Sequence, residues 1–300
     1  MAIALHKSVN NLGFTHVLVF CALLMVCATA SRAQTQSAAR DVQCGEVVKI
    51  QSRENSTTRY AFVPPPKPKR RADTITIVLL AGGSGHVNLD EKACPRGLKG
   101  NSLVRSIPIF NAAGFGTALV EAPSDFQGED GLAGFRTAPE HAHDLGMVIA
   151  ELRARTQGMV WVVGTSRGSI SAANVVSRLS GPSAPDGVVL TSALMSGQSP
   201  ARKAWVAQTV FDLQLENIRT PLLVIGHAAD KCIRSPPDAM DRIVARTPAI
   251  RQQVVTVIGA PGSDGPPSLN ACEGRSPHGF LDQEAEVAAG IMRFIRGGKY

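Results

Sequence analysis

Gly164-Thr165-Ser166-Arg167-Gly168 holds a serine two residues from a glycine on either side. The apolar run Met159-Val160-Trp161-Val162-Val163 leads into it, and Ser169 to Val176 follow with apolar residues at helical spacing. A strand that ends in G-x-S-x-G and opens a helix makes a sharp turn, which stands the serine hydroxyl clear of the sheet. The chemistry this suits is nucleophilic attack. A hydroxyl is a weak nucleophile unless an adjacent imidazole takes its proton. That imidazole needs a carboxylate on its other nitrogen, to fix the tautomer and stabilise the imidazolium. The sequence must therefore supply a histidine and an acid on loops that reach this turn.

The elements that would position such loops alternate. Glu46–Arg53 and Thr57–Val63 read as a hairpin across Glu54-Asn55-Ser56, and Thr74–Leu80 as a buried parallel strand. A helix from Ser102 to Ala113 precedes the strand Gly116–Val120, and Pro139–Ala154 places Leu145, Val148, Ile149 and Leu152 on one helical face. After the serine strand and its helix come strand Gly187–Leu194, a helix near Ala201–Leu213 and strand Pro221–Ile225. Helix Pro237–Arg246, strand Gln252–Ile258 and helix Asp282–Arg296 complete the chain. This alternation predicts an α/β fold, a mainly parallel eight-stranded sheet with helices on both faces. Only about 26 residues separate Leu194 from Pro221, room for one connecting helix and no large cap domain.

With the serine turn on the fifth strand, this order resembles the α/β-hydrolase family over essentially the whole chain beyond its N-terminal segment. The family runs Ser, acid, His in chain order. Matched to its pattern, Ser166 is the nucleophile. The resemblance implies Asp230 as the acid, in Gly226-His227-Ala228-Ala229-Asp230 after a strand. It implies His278 as the base, in Ser276-Pro277-His278-Gly279-Phe280 before the final helix. Asp238 and Asp241 are the alternative acids, set inside the next helix. Of the other histidines, His6 and His16 belong to the N-terminal segment, and His141 and His143 read as solvent-facing or locally bonded. His227 reads as structural, being three residues from Asp230, and His86 is placed to line the site. The loop Ala81-Gly82-Gly83-Ser84-Gly85 matches the family's glycine-rich oxyanion loop, with Gly83 or Ser84 as one backbone donor and the Arg167 N–H as the other. It lacks the lysine of a phosphate-binding loop.

Arg167 departs from the family pattern by putting a cation beside the serine. It either steers anionic substrates or pairs with an acid such as Asp125 or Glu140. Ala122-Pro123-Ser124-Asp125 is expected at the rim of the site, and Arg136 in a structural role.

The start of the chain carries Lys7, an apolar stretch from Val17 to about Ala28, then Ala28-Thr29-Ala30 and Ser31-Arg32-Ala33. This is the layout of a secretory signal peptide over 1–33, cleaved after Ala33 or after Ala30. The apolar stretch is short of the roughly 20 residues a membrane span needs. Residues 34–300 are then one exported catalytic domain, periplasmic or secreted and without a stable membrane anchor. Cleavage after Ala33 removes Lys7 and Arg32 and lowers the formal net charge from +7 to +5. The basic run Lys67-Pro68-Lys69-Arg70-Arg71 reads as a solvated connector, and no helix interleaves basic and aromatic residues, which argues against nucleic acid.

Cys44, Cys94, Cys232 and Cys272 remain after cleavage, an even number with three possible pairings. A triad draws the loops of Asp230 and His278 together, so the mechanism implied by the resemblance pairs Cys232 with Cys272 and leaves Cys44 to Cys94. No C-x-x-C spacing suggests a metal, and no cofactor is implied. The expected protein is a serine hydrolase of acyl substrates, by resemblance carboxylic esters, acting through an acyl-serine. Thioesterase, peptidase or acyltransferase chemistry on the same triad, or a non-catalytic binding member of the fold, are the alternatives.

Overall fold

The computed structural model describes residues 43–66, 73–197, 203–259, 262 and 265–300. The expected signal segment 1–33, the basic run Lys67–Arg71 and the start of the expected helix at Ala201 lie outside them. Eight strands form one sheet in the order β1-β2-β4-β3-β5-β6-β7-β8. They are β1 Glu46–Arg53, β2 Ser56–Val63, β3 Ile75–Leu80, β4 Gly116–Val120, β5 Met159–Thr165, β6 Gly187–Thr191, β7 Leu222–His227 and β8 Gln252–Val257. β2 runs antiparallel to both β1 and β4, and every pair from β4 through β8 is parallel. The chain has the α/β-hydrolase fold, with β5 in the middle of the sheet.

Two-residue alternation along the inner strands divides the core. Ile77 and Leu79 of β3 and Trp161 and Val163 of β5 face one side, where helices α1 Ser102–Ala112 and α5 Glu284–Ile295 pack. Val78 and Leu80 with Val160 and Val162 face the other, covered by α2 Pro139–Thr156, α3 Gly168–Arg178 and the short α4 Asp241–Val244. Both faces of the central strands are dry, which is why those strands read as continuous apolar runs.

Two expected helices come out differently. Over Ala204–Asn217 the chain forms three separate 3-10 turns, Ala204–Ala207, Val210–Asp212 and Leu215–Asn217. Thr209 breaks any longer helix, because its hydroxyl caps Phe211 N–H and Asp212 returns to the Thr209 N–H. The expected helix Pro237–Arg246 is a 3-10 turn, Pro237–Ala239, followed by the four residues of α4.

Candidate active site

Ser166 directly follows β5, and its φ of +52° lies in the left-handed region that side chains rarely adopt. Its N–H donates to the Thr191 carbonyl of neighbouring β6 at 2.9 Å. The flanking glycines make the turn possible. A Cβ on Gly164 would collide with the Gly168 carbonyl, and one on Gly168 with the Leu80 carbonyl. Helix α3 can therefore close directly onto β3 and β5. The loop after β3 touches the serine as well, since a Cβ on Gly82 would stand 2.9 Å from Ser166 Cβ.

Asp230 follows β7 and His278 sits in a 3-10 turn, Pro277–Gly279, ahead of α5. The structure brings them together. His278 Nδ1 lies 2.9 Å from Asp230 Oδ2, and both side chains are buried. Asp230 Oδ1 accepts the Cys232 N–H at 2.8 Å, so both carboxylate oxygens are used. Ser235, on the same loop, donates to Asp230 Oδ2 at 3.0 Å and lies 2.9 Å from His278 Nδ1. The Ser192 hydroxyl donates to the His278 carbonyl at 2.7 Å, and Ser192 adjoins the Thr191 that holds Ser166. With Nδ1–H directed at Asp230, Nε2 carries the lone pair. That nitrogen is buried and makes no hydrogen bond among the described residues, Ser166 Oγ included. Such contacts are commonly loose in free enzymes and tighten when substrate binds.

Cys232 and Cys272 form a disulfide, as do Cys44 and Cys94. The first joins the loop carrying Asp230 to the segment leading to His278 and closes 40 residues. A loop of that length is worth about 4 kcal/mol of chain entropy. Because the bond ties the acid and base loops, Cys232→Ser with Cys272→Ser is expected to lower the unfolding midpoint of the sheet and, in addition, to lose activity at a denaturant concentration below that midpoint. Activity and circular dichroism followed together through a denaturant titration check this. Asp230, Cys232 and His278 form the one His, Cys and acid cluster with metal-ligand spacing among the described residues, and its sulfur is spent in the disulfide.

The loop Gly82–Gly85 is closed by a Gly85 N–H to Gly82 carbonyl bond of 3.0 Å, and Gly83 has φ +57°. The N–H groups of Gly83 and Ser84 have no hydrogen-bond partner among the described residues, as donors kept for a ligand would be. Behind the loop lies Arg136, fully buried. Its Nη2 donates to the carbonyls of Ala81 at 3.2 Å and Gly83 at 3.3 Å, and Nη1 to Ser171 Oγ at 2.7 Å. Turning those carbonyls inward turns the neighbouring N–H groups outward. Burial, with Arg167 nearby, lowers the Arg136 guanidinium to about 9. His141 shares Ser171 Oγ at 2.9 Å, and burial, then Arg136 and Arg53, push its imidazole down to about 3.

This histidine carries a signed consequence. Between its unfolded value near 6.5 and its folded value of about 3, the unfolded chain binds a proton that the folded chain refuses. Stability is therefore lost as pH falls through that window, by up to about 5 kcal/mol from this group. His141→Gln is expected to flatten the acid limb of a stability-against-pH curve between pH 6.5 and 3, measured by urea unfolding at each pH.

An open cavity of about 480 Å³ reaches Ser166, lined by Gly83, Ser84, Arg167, Arg234 and the Cys232 and Cys272 pair. Leu194, Val206 and Leu269 give it apolar wall, and Glu129 and Asp130 stand at its exposed side.

Several expected placements differ. Asp125 does not reach the rim, nor does it meet Arg167. It is held by Arg53 Nη1 and Nη2 at 2.7 Å, because buried Asp144 fixes Arg53 Nε at 3.0 Å and aims the rest of the guanidinium at it. The acid near Arg167 is Asp130. His86 points away from the cavity onto Glu121, at 3.0 Å, whose buried carboxylate also takes the Val87 and Leu89 N–H groups. His141 is buried, whereas His143 is exposed. His227 is structural: Nε2 meets Gly259 O and Gln283 Oε1, and Nδ1 accepts the Ala229 N–H. Ser235, Ser192 and Arg234 were not singled out from the sequence. No short-range pattern marks them in the sequence.

No family model and no curated protein matches the chain. Solved structures do. Proline iminopeptidase from Mycobacterium smegmatis superposes with a TM-score of 0.58 at 12% identity, over 84% of this chain and 98% of that one. Dienelactone hydrolase from Anabaena variabilis gives 0.53 at 15% identity, over 85% and 97%. Esterase 2 from Thermogutta terrifontis gives 0.53 at 13% identity, over 86% and 96%. At such identities the likeness is one of fold.

Proposed function

We propose that this chain is an exported serine hydrolase of acyl substrates, most simply carboxylic esters. The observation that carries the reading is the buried 2.9 Å His278–Asp230 pair, on loops that converge beside a left-handed serine at the end of β5. Ser166 Oγ attacks the acyl carbon while His278 Nε2 takes its proton, and Asp230 stabilises the imidazolium through Nδ1–H. The oxyanion receives the Arg167 N–H together with that of Gly83 or Ser84, donors typically worth about 3–4 kcal/mol each in the transition state. His278 returns the proton to the leaving group, and water releases the acyl group by the reverse sequence. Neighbours whose names include an esterase, a dienelactone hydrolase and a peptidase support hydrolysis as the reaction class.

Export of residues 34–300 after loss of 1–33 belongs to the same proposal. Two disulfides fit an oxidising compartment, and no helix among the described residues is long and apolar enough to cross a membrane. Labelling of Ser166 by a fluorophosphonate, located by peptide mass, tests the enzyme reading against a non-catalytic one. An ester series graded by chain length then tests the substrate class.

A further inference from the structure

The cavity at Ser166 holds two cations that acyl transfer itself does not require. Arg167 lines it half-buried, and Arg234 lines it with only 5% of its surface exposed. Arg234 is anchored through backbone carbonyls: Nε donates to Ser196 O and Nη2 to Gln208 O at 3.1 Å. It makes no ion pair with any described residue, and its Nη1 makes no hydrogen bond among them. Burial lowers its guanidinium below the usual arginine range, with no carboxylate acting in opposition. Arg167 is lowered by burial and then by Arg234, with Asp130 acting in opposition, so Arg234 is the cation of the two that no carboxylate offsets. Among the described residues, no acid of the cavity pairs with Arg234. Asp130 is exposed and pairs with Lys203 at 2.6 and 2.7 Å, and exposed Glu129 makes no ion pair among the described residues.

A buried charge such as that of Arg234, left without a counter-ion, costs far more than one matched by an anion. Guanidinium also presents a planar fork suited to carboxylate. The same cavity is lined by the apolar side chains of Leu194, Val206 and Leu269, and its volume suits a small molecule.

Building on the hydrolase reading, we propose that the substrate is a small acyl ester bearing a second, free carboxylate, which Arg234 and Arg167 bind while Ser166 attacks the ester carbonyl. No new bond chemistry is involved. The carboxylate is a recognition group that remains intact, and the ester is cleaved as above.

The test uses two matched ester pairs on the whole enzyme. One is the mono-p-nitrophenyl ester of adipic acid against its methyl-capped counterpart, with the carboxylate on the acyl side. The other is 4-carboxyphenyl hexanoate against its methyl-capped counterpart, with the carboxylate on the leaving group. Each kcat/KM is divided by the alkaline hydrolysis rate of the same ester. In at least one pair the anionic ester is expected to be preferred about tenfold or more, mainly through KM, and the preference is expected to shrink in high salt. Arg167→Gln and Arg234→Gln should each move that ratio toward one. Because Arg234 also anchors the segment after β6, free adipate is tested as well on the unaltered enzyme, where it should slow fluorophosphonate labelling more than dimethyl adipate does. Ratios near one in both pairs, with no protection by adipate, overturn the proposal while leaving the hydrolase reading intact. Absence of turnover of all four esters together with absence of labelling overturns the hydrolase reading itself.

Discussion

Ser166→Ala is expected to abolish fluorophosphonate labelling and to cut ester turnover by about 10⁵- to 10⁶-fold. The size follows from the elbow. Ser166 is held at φ +52°, with Gly82 packed against its Cβ and its N–H tied to Thr191, a position no other hydroxyl of the turn shares. Ser169 donates to the Ser166 carbonyl at 2.6 Å and Ser171 bonds Arg136, so both are committed elsewhere. The variant removes one oxygen from a half-buried position, and its circular dichroism and thermal midpoint should stay near those of the parent. Labelling that persists in Ser166→Ala would show that the reactive group lies elsewhere. A variant that folds, binds esters and turns them over at the parental rate would sink the acyl-serine route altogether.

What the sequence disclosed follows from how local the cause is. β5, its turn and α3 were legible because apolar alternation, two obligatory glycines and helix spacing all act within about a dozen residues of one another. The parallel strands were legible for the same reason, since burial on both faces leaves only apolar residues. The helix expected over Ala201–Leu213 failed in its described part because the Thr209 and Asp212 caps outweigh a weak periodicity. Arg234 and Ser235 were invisible, because their roles depend on where the loop after β7 folds in space. Asp125 read as a rim residue because it directly follows a strand end. Its actual place is decided by Arg53, 72 positions away, and that kind of information does not reside in any short window.

His278→Ala is expected to match Ser166→Ala in severity, and the double variant to be little worse than either, because the members of such a unit fail together. Asp230→Asn should be nearly as damaging, at about 10⁴-fold in kcat. The reason lies in the hydrogen bonds. Asp230 Oδ2 takes the Nδ1–H of His278 and the hydroxyl of Ser235, and an amide in its place offers donors or a weak acceptor where two donors already point. The imidazole then loses the partner that keeps its lone pair on Nε2, facing the serine. Ser235→Ala removes only the supporting hydroxyl, leaves the 2.9 Å His278–Asp230 contact in place, and should cost about tenfold in kcat with KM little changed. Steady-state kinetics on the four variants with one activated ester gives the ordering. Full activity in Asp230→Asn, with its loss in Asp238→Asn or Asp241→Asn, would place the acid on the turn and helix after β7 and break the link between the disulfide and the acid loop. Equal losses in Ser235→Ala and Asp230→Asn would mean that the hydroxyl, and not the carboxylate, sets the tautomer of His278.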